Sequence, residues 1–312
     1  MRSSSPTRQA GLPVGMVVFI AIAVLLVWFG TLDARHLLRP DEGRYAEISR
    51  EMFVTGDWVT IRYNALKYFE KPPFHMWVTT IAYELFGVGD WQARLCVALS
   101  GILGLGMTML ATARWYGCRA GLLAGLVMLA MPMWSVAGHF NSLDMTLSGA
   151  LACVLACMLL AQHPDTSPGA RRAWMVACWA AMGVAILTKG LVGIALPGLV
   201  LVVYTLVTRD IGLWRRLHLP TGILAMLVVT VPWFWLISTK NPEFPRFSLF
   251  TSTGTVTHPR CTRARGRSGI SCRCYWRACC PGWAWCRACG RWCATVPEPC
   301  AAPVASHSSP RC

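Results

Sequence analysis

Two carboxylates stand side by side in the run Arg39-Pro40-Asp41-Glu42-Gly43-Arg44-Tyr45-Ala46-Glu47-Ile48, with an arginine and a tyrosine just behind them. Later in the same polar stretch, Tyr68-Phe69-Glu70-Lys71-Pro72-Pro73 adds another carboxylate, another tyrosine and another cation. A carboxylate in such company can act as a base or stabilise positive charge developing on a substrate. Arg44 and Lys71 together could hold a phosphate, one as a planar fork and the other as a point charge. A plainer reading stands beside each of these. Asp41 can cap a helix, Glu42 can favour its dipole, and Lys71 can anchor to a lipid phosphate.

Pro40 breaks whatever precedes it, which places Asp41 at the N-cap of a helix. Within that helix Tyr45, Ile48 and Met52 share one face, opposite Glu47, Arg50 and Glu51, so an amphipathic helix on the outer membrane surface is expected. The paired prolines Pro72 and Pro73 fix the backbone as the chain returns to the interface, holding Glu70 and Lys71 at headgroup depth.

The setting of these residues is a bilayer. Hydrophobic residues make up 55% of the 312 positions, charged residues only 14%, and mean hydropathy is +0.46, too little polar surface to cover a soluble globule. The net charge of +15 comes with no nucleic-acid-binding signature, and the basic residues fall mostly in short loops between apolar runs, so nucleic acid is not an expected partner and membrane lipids are. An all-α polytopic membrane protein follows, with about seven spans near 13–31, 94–113, 120–138, 144–162, 173–188, 190–208 and 220–238. With the N-terminus inside, the loops bearing Arg114 and Arg119, Arg171 and Arg172, and Arg209, Arg215 and Arg216 all face inward, as the positive-inside rule requires. The loop 32–73 then faces outward, carrying seven Lys or Arg against seven Asp or Glu. This count needs residues 74–88 to lie along the interface; if they crossed, Asp144 and Lys189 would sit on the opposite side from Asp41.

Residues 248–312 have a different character. From Val256 onward there is no Leu, Phe, Met, Lys, Asp, Asn or Gln, and ten of the fifteen cysteines lie there without repeated CxxC pairs that would mark a zinc ribbon. The segment reads as GC-rich DNA translated out of register, with a frameshift near Phe247 to Phe250. Thr251-Ser252-Thr253 can be encoded ACG-AGC-AC, and the same DNA read from one base earlier, with C as the preceding base, gives CAC-GAG-CAC, which is His-Glu-His.

Several separated motifs carry a family resemblance over residues 13 to about 247. PDEGRYAEISREM, then GDW at Gly56 to Trp58, then YFEKPP, followed in order by NSLD at Asn141 to Asp144, LTKGLVGIALP at Leu187 to Pro197 and VPWFW at Val231 to Trp235, are similar to the landmarks of one group of enzymes. That group comprises the 4-amino-4-deoxy-L-arabinose lipid A transferases and their protein O-mannosyltransferase relatives. The resemblance implies a GT-C-like transmembrane bundle with amphipathic juxtamembrane helices in its first periplasmic loop, in the bacterial inner membrane. It implies a polyprenyl-phosphate-linked sugar donor and a lipid A acceptor, with Asp41 and Glu42 catalytic, Arg44 and Lys71 on the donor phosphate, and Tyr45, Tyr68, Glu70 and Asp144 around the sugar. Glu70 could take an amino sugar or a divalent metal, and Lys189 either snorkels to the interface or pairs with an acidic group. Family members continue past the point where this frame is lost. Two other readings therefore stay open: an enzyme acting on Ser or Thr hydroxyls, and an inactive product.

Overall fold

The computed structural model describes residues 14–38 and 40–245, together with two-residue strands at 265–266 and 269–270. Those strands, β3 (Arg265–Gly266) and β4 (Gly269–Ile270), pair antiparallel within a separate unit, residues 257–312. The out-of-frame reading of 248–312 and the His-Glu-His reading of 251–253 otherwise lie outside the described residues.

In the first unit, α1 (Val14–Gly30) leads to α2 (Asp41–Thr55), the hairpin β1 (Arg62–Tyr63) and β2 (Leu66–Lys67), and α3 (Phe74–Phe86). Then follow α4 (Asp90–Tyr116), α5 (Cys118–Ala130), α6 (Pro132–Ala137), α7 (Leu143–Gln162), α8 (Pro168–Lys189), α9 (Val192–Thr208), α10 (Gly212–Arg216) and α11 (Leu219–Lys240). Among the described residues α4, α7, α8 and α11 are long and apolar enough to cross a bilayer, and the apolar helices at 18–30, 118–130 and 192–208 are shorter. The protein is an all-α, multi-pass membrane protein. At 13 residues α3 is only about 20 Å long, short of the ~30 Å of hydrocarbon.

Three local features depart from the sequence expectations. The apolar stretch 120–138 is not one helix: it breaks at Met131, whose φ of −71° and ψ of 114° are extended, because the proline that follows disfavours helical geometry there. The N-cap of α2 is Pro40, so Asp41 is the first helical residue and no side chain caps this end. The apolar face of α2 does not rest on the bilayer surface either. Tyr45, Ile48 and Met52 are buried in a core with Ile61, Met76, Leu143, Leu187, Trp233 and Ile237, so protein takes the place of lipid.

Helix α4 packs on α7 closely enough that only glycine fits at the crossing. A Cβ on Gly149 would lie 2.4 Å from the Ser100 carbonyl oxygen, and one on Gly104 would lie 3.1 Å from the Gly149 Cα. Lipid offers no hydrophobic drive between helices, so such close backbone approach is what favours the contact. Gly149→Val is expected to cost about 1–3 kcal/mol through overpacking, read as a lower midpoint of thermal unfolding in detergent.

Candidate active site

Four pieces of chain converge on one cleft of about 270 Å³, lined by Asp41, Arg44, Tyr45, Tyr68, Glu70, Lys71, Ser142, Leu143, Asp144 and Lys189. The first turn of α2 supplies Asp41 and Arg44, and the N-terminus of α7 supplies Ser142 to Asp144. Lys189 ends α8. The segment after β2 supplies Tyr68, Glu70 and Lys71.

The hairpin explains how that segment reaches the cleft. Asn64 and Ala65 both have positive φ, 52° and 61°, which is the left-handed geometry of a two-residue turn matched to strand twist. Ala65 is strained there, and its N–H donates to the Glu51 carboxylate at 3.1 Å, tying the turn to α2. The chain then runs back along β2, and Pro73 opens α3. Behind the turn, Asp57 accepts from Lys240 at 2.8 Å and Trp233 donates to the Val59 carbonyl at 3.2 Å, so α11 braces the loop.

Inside the cleft the charges are paired by opposites. Arg44 donates to Asp41 at 2.5 Å, and Lys189 donates to Asp144. The Arg44 guanidinium lies 5.1 Å from the centre of the Tyr45 ring, and its Nε is buried with no protein partner. Burial would lower the pKa of Arg44, but the surrounding Tyr45, Tyr68, Asp41 and Glu70 raise it, so it stays a cation. Tyr68 is pushed well above the ordinary tyrosine value by burial and by hydrogen-bonded Glu70, and Tyr45 is raised mainly by burial. Both remain neutral phenols. Three carboxylates (Asp41, Glu70, Asp144) thus face three cations (Arg44, Lys71, Lys189).

Glu42 does not line the cleft. It is fully buried behind Asp41, where Arg35 donates to it at 2.5 and 3.1 Å, Arg94 at 3.0 and 3.3 Å, and the backbone N–H groups of Leu38 and Asn141 at 2.8 Å each. Arg94, 1% exposed, also donates to the carbonyls of Leu32 and Arg35 at 2.7 Å each and of His36 at 3.0 Å. Asn141 carries the network on: its Oδ1 accepts from His75 Nε2 at 2.9 Å, which leaves His75 Nδ1 to accept from Thr146 at 2.9 Å. The hub therefore joins the start of α2 to the start of α7, the two helix ends that present Asp41 and Asp144. Its carboxylate oxygens are already engaged by donors on both sides, and that geometry suits a positioning group better than one that meets substrate.

Burial alone would raise the Glu42 pKa, but hydrogen bonds from Arg35, Arg94, Asn141 and Leu38 outweigh it and hold the carboxyl at about 2, against 4.5 when unconstrained. A carboxyl lowered by folding contributes stability that is complete above pH 4.5 and is lost as pH falls toward 2. Acid titration followed by tryptophan fluorescence is expected to show this loss between those limits, and Glu42→Gln to remove that part of the pH dependence.

The sequence reading missed Ser142, Leu143, Arg35, His75, Arg94 and Asn141. A signal existed for Arg94, since an arginine opening a long apolar stretch must find a partner. Lys189 pairs with an acidic group, Asp144, and is the last residue of α8. Among the described residues no three of His, Cys, Asp and Glu gather to hold a metal ion.

A profile of the family described as dolichyl-phosphate-mannose-protein mannosyltransferase matches residues 70–235. The chain is 32% identical over 228 residues to the undecaprenyl phosphate-alpha-4-amino-4-deoxy-L-arabinose arabinosyl transferase of Serratia proteamaculans, covering 73% of this chain and 41% of that protein. A second enzyme of that description, from Proteus mirabilis, is 30% identical over 231 residues, with 73% and 41% covered. Among solved structures, ArnT from Cupriavidus metallidurans bound to undecaprenyl phosphate superposes with a TM-score of 0.74 at 72% identity, covering 76% of this chain and 44% of that one. Its apo state gives 0.75 at 68% identity, covering 81% and 46%. The chain thus spans about two fifths of the length of the curated relatives it matches.

Proposed function

The chain belongs to the dolichyl-phosphate-mannose-protein mannosyltransferase family, and from that premise we propose that its cleft transfers a sugar from an undecaprenyl phosphate carrier. The donor sugar is an amino sugar of the 4-amino-4-deoxy-L-arabinose class and the acceptor a phosphate of lipid A. The observation that carries this reading is the cleft itself, with a buried, unpartnered Arg44 Nε among three carboxylates and three cations.

The reaction breaks the bond between the anomeric carbon and the carrier phosphate oxygen, and forms one to an acceptor oxygen. Arg44 and Lys71 take the departing phosphate, whose charge grows as the bond breaks, so their attraction is greatest in the transition state. As Arg44 turns to the phosphate it releases Asp41, whose carboxylate then stabilises positive charge at the anomeric centre. The resting ion pair is thus a placeholder for the bound donor. An acceptor phosphate is already ionised at neutral pH and needs no base. Glu70 and Asp144 face the sugar, where a carboxylate suits an ammonium group. Among the described residues no group of three His, Cys, Asp or Glu stands together to hold a divalent metal beside Glu70.

Sidedness supports a periplasmic site in the inner membrane. The cleft collects the ends of α2, α7 and α8, while Arg114, Arg119, Arg171, Arg172, Arg209, Arg215 and Arg216 gather at the opposite ends of the helices.

The test is binding of undecaprenyl phosphate to the purified chain, with undecaprenol as the neutral control. Arg44→Ala and Lys71→Ala are each expected to weaken phosphate binding about 10- to 100-fold, matching the ~1.5–3 kcal/mol of a charged hydrogen bond, and to leave undecaprenol unaffected. Unchanged phosphate affinity in both variants would overturn the assignment.

A further inference from the structure

At the end of the bundle away from the cleft, α10 and its flanks present two different faces. Leu213 and Leu217 are buried in a core with Met175, Cys178 and Met182. Ile211, Trp214, Arg215 and His218 recur at spacings of three, one and three, as one face of a helical turn does, and together with Leu219 and Pro220 they line an open cleft of about 470 Å³. Trp214 is fixed there, because its indole N–H donates to the Thr205 hydroxyl at 3.0 Å. Ile211 is 75% exposed.

The cations near this end are not equivalent. Arg216 donates to Asp210 at 2.9 Å, and Arg171 donates to the Ala161 carbonyl at 3.1 Å. Arg215 has no carboxylate within ion-pairing distance among the described residues, and no hydrogen bond engages the His218 ring. A cation and an imidazole above apolar walls, beside a tryptophan whose polar edge is already satisfied, match an anionic headgroup with the first methylenes of its chains.

We propose that this cleft binds one anionic phospholipid from the leaflet opposite the catalytic cleft. Arg215 pairs with the phosphodiester, His218 hydrogen-bonds a second headgroup oxygen, and Ile211, Leu219 and Pro220 contact the acyl chain. The assignment is independent of the transfer reaction, since none of these residues lines the catalytic cleft.

The experiment is native mass spectrometry of the full chain in detergent, supplied with equal amounts of dioleoylphosphatidylglycerol and dioleoylphosphatidylcholine. One phosphatidylglycerol is expected to be retained, at least about tenfold over phosphatidylcholine. Arg215→Glu should abolish that preference. Arg215→Gln, which keeps length and hydrogen bonding, should reduce it by at least about threefold and serves if the charge reversal fails to fold. Arg172→Glu, an exposed arginine at the same end, should change it less than about twofold. Equal retention of the two lipids would overturn the proposal. So would equal losses from Arg215→Glu and Arg172→Glu, since that pattern marks diffuse attraction to a basic surface.

Discussion

If the cleft transfers sugar as proposed, Asp41→Asn is expected to slow transfer about 100- to 1,000-fold while leaving carrier-phosphate affinity equal to or tighter than that of the parent chain. Asparagine keeps the size and the hydrogen-bonding reach of the side chain, so the shape of the cleft is retained. What disappears is the charge that the proposed mechanism assigns to stabilising the anomeric centre as the carrier departs. Arg44 loses its resting partner in the same step and meets the carrier phosphate unopposed, so binding and turnover should move apart. The pair of measurements is single-turnover transfer from a labelled donor and equilibrium binding of undecaprenyl phosphate. A fall in both together would mean that Asp41 serves to hold the site's shape, and an unchanged rate would remove it from the chemistry. Stability should respond little, because a partly exposed ion pair of this spacing contributes about a few tenths of a kcal/mol.

Glu42→Gln should act in the opposite way, lowering stability by about 3–5 kcal/mol because it leaves a buried arginine without its counter-charge. Arg94 has no route to solvent at 1% exposure, and its remaining partners are neutral carbonyls. The neighbouring carboxylates thus differ sharply, Asp41 facing the cleft and Glu42 the hub. Thermal unfolding in detergent reads the loss directly. Molecules that stay folded should also transfer more slowly, because the hub sets the distance between the starts of α2 and α7. The double variant Glu42→Gln, Arg94→Met should recover part of the stability by removing the stranded charge. If it recovers none, the cost lies in lost shape and not in electrostatics.

Much of the site was legible in the sequence because its residues fall in compact runs. Asp41, Arg44 and Tyr45 occupy one helical turn, and Tyr68, Glu70 and Lys71 precede a double proline, so their local geometry follows from short-range rules. Asp144 and Lys189 came from resemblance alone, since nothing local shows that the start of one helix meets the end of the next. That Glu42 lies outside the cleft was not legible for a related reason. Adjacency to Asp41 in sequence suggests shared chemistry, yet successive helical residues point about 100° apart. Its partners Arg94 and Asn141 are distant in the chain, so burial of that carboxylate is a tertiary fact. The broken helix at Met131 was readable from Pro132, and only the continuous apolar composition argued otherwise.

The three-against-three balance of charges has a consequence for how a ligand arrives. A mouth whose carboxylates and guanidinium or ammonium groups cancel casts little field past the screening distance, about 8 Å at physiological ionic strength. No electrostatic funnel gathers anions from the aqueous phase. For the carrier proposed above, encounter would be left to two-dimensional diffusion within the leaflet, with discrimination on contact, as the phosphate displaces a partner that Arg44 already holds.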